Sequence, residues 1–328
     1  MDGMTATPTS SQPLRDTGTT RRAARRRRRS AGWVPDYHGA WAMIAVPPLV
    51  GIWLSGPAWV HVPLVALWWV GYFLFFAAGL WLRSRFRQRY LPPVRAYGIA
   101  TAILAVILLL TAPWLAVWAL PFAPLVILTA GASWNRADRS MLNDTVTVGA
   151  AGLMTAVAYD AGTGAAGGLW GTGLLAGTGF LGAPSALTGP ETLAALPGAS
   201  YDGSMTGWPW AWLVTLIVFA YFLGTVFYVK TNIRERESRA WLIASITYHG
   251  AVTALVAVLA AAGTLHWSHV LVWIALTARA AAVPIVRARE GTALHALTAK
   301  KLAMYIGFGE VFFSIAVPVT LLLSAQLH

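Results

Sequence analysis

The chain has 328 residues, of which 57% are hydrophobic and 11% charged. A soluble domain carries roughly 25% charge, so this few charged side chains cannot cover a soluble protein of this length. An ordinary soluble enzyme and a disordered chain are excluded, and the absence of cysteine removes disulfides, thiolate nucleophiles and thiolate metal sites. What remains is an all-α, polytopic membrane helix bundle.

First in chain order comes a basic arm. Residues 1–30 hold eight Arg and two Asp, a large part of the formal net charge of +12. The arm, taken as 1–32, is rich in Ser, Thr and Pro, and is expected to be disordered and cytoplasmic. An apolar span begins about ten residues after the Arg25–Arg29 run, so anionic lipid is the expected partner and nucleic acid is not. No small-residue cleavage site follows, and apolar segments recur along the chain, so a cleavable signal peptide is not expected. Residues 33–328 read as one transmembrane helix-bundle domain.

A membrane-crossing helix needs about 20 mostly apolar residues, with a range of about 17–25. Nine segments qualify: 39–56, 59–82, 97–112, 114–134, 145–160, 208–229, 240–262, 267–286 and 303–325. Lipid offers no partner for open backbone groups, so each is expected to be a helix. Between the fifth and sixth lies 161–207, dense in Gly. Each Gly costs about 1 kcal/mol against Ala in a helix, so this stretch reads as an outer loop with room for a re-entrant piece.

Lys and Arg set the orientation. All 24 fall in five regions. These are the arm, the loop 83–95, the loop 135–144, the loop 230–239 and the segment 279–301. Nine crossings place all five on one face, with the N-terminus inside and the C-terminus outside. The opposite loops hold His61, His266, His269, Asp160, Glu191 and Asp202. Apart from His266 and His269, at i and i+3, their spacing follows no metal-ligand rule, and polar residues at the membrane interface, beside Trp59 and Trp267, are the expectation.

Ionisable residues inside spans are costly and mark functional sites. His249, Arg279 and Glu310 lie seven to nine residues from the cytoplasmic ends of the last three spans. At 1.5 Å per residue they share a depth of roughly 10–14 Å. Arg279 and Glu310 are expected to pair, with His249 beside them. Ser245, Tyr248, His249 and Thr253 form one polar stripe by helical spacing. This is either a polar cavity open to the cytoplasm or a buried structural pair that locks the bundle. In the loop 135–144, a helical conformation would put Asn135, Asp138, Arg139 and Asn143 on one face. The loop 230–239 mixes charges and reads as a solvated helix end or a phosphate site, since Arg forks fit phosphate oxygens. His38 enters the membrane where Gly39 and Ala40 permit close packing.

These motifs carry a resemblance. Pro35-Asp-Tyr-His38-Gly-Ala-Trp-Ala-Met43 with Pro47, Arg136-Ala-Asp-Arg139-Ser-Met-Leu-Asn143-Asp144, Lys230-Thr-Asn-Ile-Arg234-Glu-Arg236 and Tyr248-His249 are similar to the pattern of the YwiC-like family. That family consists of bacterial integral membrane proteins without an established activity. The resemblance covers about residues 33–325, and the basic arm and the Gly-rich loop look like additions to the pattern. It implies a multi-pass protein of the bacterial cell (inner) membrane.

The layout is more distantly similar to UbiA-type prenyltransferases, which have nine helices, an inside N-terminus and polar loops after helices two and six. That family holds magnesium diphosphate with two Asp-rich motifs. Here the loop after the second span is Arg83-Ser-Arg-Phe-Arg-Gln-Arg89-Tyr90, without a carboxylate, and the loop after the sixth has Glu235 and Glu237 but no Asp pair. Magnesium prefers carboxylates and phosphate oxygens, so it enters as a cofactor only under a degenerate transferase reading; otherwise none is expected.

The favoured expectation is a cytoplasm-facing polar cavity that binds or translocates a small anionic or lipid-headgroup ligand. Its candidate residues are His38, Arg139, Asn143, Asp144, Arg234, His249, Arg279 and Glu310. Arg139, Arg234 and Arg279 would hold anionic charge, Glu310 would fix Arg279, and His249 and His38 would carry protons or accept hydrogen bonds. A lipid-directed transferase and an assembly partner of a membrane complex are the alternatives.

Overall fold

Each apolar run forms a helix in the computed structural model, which describes residues 32–35, 40–183, 195–289, 291 and 299–324. In chain order these are α1 (Ala40–Ser55), α2 (His61–Arg83), α3 (Leu91–Thr111), α4 (Ala119–Trp134), α5 (Met141–Thr163), α6 (Trp208–Ile233), α7 (Arg239–Ala261), α8 (Trp267–Ala288) and α9 (Ala299–Ser324). The described residues hold no β-strand beyond one isolated bridge, Ala199 with Thr206. The basic arm lies outside them except for its last residue, as does the C-terminal His328.

Among the described residues, seven of these nine helices are long and apolar enough to cross a membrane. The two that fall short are α1, with 16 residues, and α5, which carries Asn143, Asp144 and Asp160. Their place in the bundle accounts for this. α5 is walled in by protein and buries most of its length from Val146 to Ala161. It lies directly against α1: a Cβ at Gly51 would stand 2.2 Å from the Thr155 carbonyl oxygen, and one at Gly162 would stand 2.1 Å from Ser55 Oγ. A helix enclosed by protein can be made of small and polar residues that lipid would not accept. The outer helices do the opposite. α9 turns Phe308, Val311, Phe312, Ile315 and Val319 outward.

Proline interrupts α1 at Pro47 and Pro48. Pro48 has no N–H for the Ile44 carbonyl. Trp68 of α2 supplies one, its Nε1 donating to Ile44 O at 2.9 Å. The freed backbone acceptor becomes an inter-helix bond.

Contacts between loops sort the bundle into two ends. At one end Arg83 meets Asp138 at 3.1 Å, Lys230 meets Asp144 at 2.7 Å, and Thr231 Oγ1 donates to Trp241 O. Arg287 also donates to Asn232 O there, at 2.5 Å. This joins the ends of α2, α5, α6, α7 and α8 and gathers the basic loops on one face. At the other end Trp118 donates to Asp160, Tyr201 N donates to Thr264 O, and His269 meets Thr320 of α9. We call these the basic and the neutral end.

Several boundaries differ from the sequence reading by a few residues. α3 starts at Leu91 rather than near 97, because Pro92 and Pro93 sit in its first turn, where a missing N–H costs nothing. α5 extends to Met141 and Thr163, with Ser140 accepting from Asn143 N as its cap. The described part of 161–207 is turns and short 3₁₀ segments after α5 ends.

Candidate functional site

A buried polar cluster lies between α6, α8 and α9. On α6, Tyr221, Thr225, Tyr228 and Asn232 recur at i, i+4, i+7 and i+11, which is one helical face. Glu310 of α9 points at this face. Its Oε2 accepts from Thr225 Oγ1 at 2.8 Å and Tyr221 OH at 3.3 Å. Tyr221 OH also lies 3.0 Å from Ser314 Oγ. Arg279 of α8 brings Nη1 to 2.8 Å from Glu310 Oε1, with both side chains about nine-tenths buried. Arg279 and Glu310 therefore meet as their equal depth suggests.

Aromatic rings complete the surroundings of Arg279. Its guanidinium carbon is 4.1 Å from the Tyr228 ring centroid and 4.5 Å from that of Phe313. Guanidinium tolerates this better than ammonium because it is planar and weakly hydrated. Yet Nε and Nη2 are buried without a hydrogen-bond partner among the described residues, and Nη1 touches Glu310 off the preferred hydrogen-bond line. Five donors surround one carboxylate and two rings, which leaves donor capacity unused.

His249 is a neighbour rather than a member of the pair. It is 2% exposed, with Nδ1 2.7 Å from Ser245 O. Its Nε2 faces α6 at Gly224, where a Cβ would come within 3.0 Å. The polar stripe on α7 is divided between two helices. Tyr248 OH donates to Ala220 O of α6, and Thr253 bonds Trp273 O and Thr277 of α8.

Arg139, Asn143 and Asp144 lie at the basic end near a residue the sequence reading did not single out. Lys230 is 5% exposed, and its Nζ bonds the Asp144 carboxylate and the Arg139 carbonyl oxygen, 5.4 Å from the Trp241 ring. Arg139 thus contributes its backbone, with its side chain exposed. Asn143 Nδ2 donates to Asp138 O, while its Oδ1 is buried and unpartnered. Residues 135–140 are turns and not helix, so Asn135, Asp138, Arg139 and Asn143 do not share a helical face. Arg234 is exposed and lies with Arg236 along a surface hollow of about 620 Å³ formed by 233–238. His38 lies outside the described residues.

At the neutral end the histidines are structural. His61 accepts from Ala58 N and reaches Ala158 O, and His269 bonds Thr320 and Trp273. Two are buried in the bundle rather than spread along the interface. Trp59 and Trp267 are exposed, as an aromatic belt requires. Asp202 is a different case. Hydrogen bonds from Ser200 and Ser204 pull its carboxyl down to about 2.

The profile of the family described as YwiC-like protein matches residues 34–159, the span from before α1 into α5. The chain is 28% identical over 216 residues to a Bacillus subtilis protein described as Uncharacterized protein YwiC, covering 66% of this chain and 73% of that one. No solved structure matches it. The Arg279–Glu310 pair lies outside the segment that the family profile covers. The family profile thus spans the His38 motif and the 136–144 loop, and over these residues the chain is similar to the YwiC-like proteins.

Proposed function

We propose that this is a nine-crossing protein of the bacterial cell membrane with its basic end in the cytoplasm, and that Arg279 receives a small oxyanion or an anionic lipid headgroup. The gathering of the basic loops supports the orientation, since Lys and Arg are retained on the cytoplasmic side. The observation that carries the ligand is the unused edge of Arg279. Nε and Nη2 are buried without an acceptor, and together they form the fork that takes two oxygens of a carboxylate or phosphate. Arg279 is eight residues from Arg287, so the edge sits about 12 Å below the basic end. Arg287, Lys230 and the exposed Arg234 supply an attractive field on the way in.

In this reading Glu310 is the resident counter-ion, displaced from Arg279 when the external anion binds. α9 would then loosen from α6 and α8, because Glu310 is its main polar attachment to both. The test uses purified full-length protein in nanodiscs, with inorganic phosphate and phosphatidylglycerol as separate probes. Glu310→Gln keeps an acceptor for Thr225 but removes the competing charge, so it should bind the probe more tightly. Arg279→Gln should lose binding. A response to phosphate alone indicates a soluble oxyanion, and a response to the lipid alone indicates a headgroup.

One observation favours a second reading. Glu310 is already held by Thr225, Tyr221 and Arg279, which suits a lock. A lock predicts that both variants lower stability and that neither changes binding.

A further inference from the structure

A separate group of buried polar atoms lies at the neutral end, away from the Arg279 cluster. Asp160, in the last turn of α5, is 2% exposed. Its Oδ2 accepts from Trp118 Nε1 at 2.8 Å, but Oδ1 is buried and unpartnered. Two buried donors are unpartnered as well, Trp114 Nε1 and Trp170 Nε1. All three residues line one partly open cavity of about 20 Å³, whose lining also includes Leu175 and Phe180 of the Gly-rich segment. Backbone strain accompanies the arrangement. Trp170 has φ 53°, a left-handed conformation that a tryptophan rarely adopts. Its carbonyl is fixed by Trp212 Nε1 at 3.0 Å.

We infer that Asp160, Trp114 and Trp170 bind a single water-sized molecule that both accepts and donates hydrogen bonds, and that this molecule fastens the Gly-rich cover to the bundle. The chemistry of the lining selects the occupant. Indole N–H groups only donate, which disfavours a metal ion or ammonium. The carboxyl group disfavours an anion. Water satisfies every group: two lone pairs take the two indole protons, one O–H goes to Asp160 Oδ1, and the other remains for a backbone carbonyl. The volume agrees, since a site of roughly 10–15 Å³ by this measure holds one water. The site is assembled from the segment before α4, the end of α5 and the cover, so the bound molecule links parts of the chain that are distant in sequence.

The test is a structure of the full-length protein in lipid, with indole hydrogen exchange measured on the same preparation. The expected result is one density peak within hydrogen-bonding distance of Asp160 Oδ1 and both indole nitrogens. Asp160→Asn keeps an acceptor and should keep the peak. Asp160→Leu should lose it and speed exchange at Trp114 and Trp170. Should Asp160→Leu fail to fold, Trp170→Phe removes a single donor and should lower the melting midpoint by about 1–2 °C, the shift that loss of one hydrogen bond produces in a chain of 328 residues. A dry cavity, a metal ion in its place, or indole exchange indifferent to Asp160→Leu and Trp170→Phe would overturn the inference.

Discussion

The two ends of the bundle are closed by different chemistry. At the basic end, short turns are tied by charge: Arg83 with Asp138, Lys230 with Asp144, Arg287 with the Asn232 carbonyl. At the neutral end a long Gly-rich cover is tied by neutral donors: Trp208 Nε1 to Ala166 O at 2.6 Å, Trp212 Nε1 to Trp170 O, and Tyr159 OH to Pro197 O at 2.8 Å. Glycine makes this possible at Gly171, where φ is 77° and a Cβ would stand 2.1 Å from the Trp208 ring. On the proposed orientation, cations can anchor the first end because it would stay on the cytoplasmic side, where they are retained. The second would have to cross the bilayer during insertion, and indole and phenol groups cross at lower cost than charges.

The largest expected effect tests the charged half. Arg279→Ala strands Glu310 in the bundle and should cost about 3–5 kcal/mol, read from denaturation of detergent-solubilised protein. Replacing both partners with apolar residues of similar volume should recover most of that loss. The neutral half should break on packing instead. Gly51→Ala drives a methyl group into the Thr155 backbone of α5, and an overpacked site of this kind costs about 1–3 kcal/mol. Trp118→Phe leaves Asp160 Oδ2 without its donor and should cost about 1–3 kcal/mol, with no dependence on salt.

Lys230→Met should cost less, about 1 kcal/mol, because Asp144 retains some access to solvent. Salt should weaken wild type more than this variant, which separates it from the indole variants. The smallest effect concerns Asp202. Its carboxyl lies below the usual range near 3.9, at about 2. Its contribution to stability is full above the ordinary carboxylate value and disappears as pH falls from there through about 2. Asp202→Asn should remove this contribution, lowering the melting midpoint slightly near neutrality, flattening its pH dependence over that interval and leaving it unchanged below about pH 2.

Much of this was legible in the sequence. Among the described residues each apolar run forms a helix, and seven of the nine have the length and hydropathy that a bilayer demands. The Arg279–Glu310 pair followed from depth alone. What spacing could not reveal was partnership across distant helices. Lys230 looked like one more loop cation, yet it is buried against Asp144 and the Arg139 carbonyl. Asp160 looked like an outer-loop acid, and only the fold brings Trp118 and the Gly-rich cover to it. One signal was present and unused: Tyr221, Thr225, Tyr228 and Asn232 mark a polar face on an otherwise apolar α6. The 135–144 loop misled because helical periodicity was assumed where Ser140 caps the helix only at Met141.

Topology mapping tests the central claim most directly. The chain has no native cysteine, so single cysteines can be read without background. Ala137→Cys and Glu237→Cys mark the basic end, and Thr172→Cys and Ser204→Cys mark the neutral end. In intact cells a membrane-impermeant maleimide should label the neutral pair at once and the basic pair only after permeabilisation. Labelling of both pairs from the same side would contradict the sorting of charge on which the crossing number and the depth of Arg279 rest.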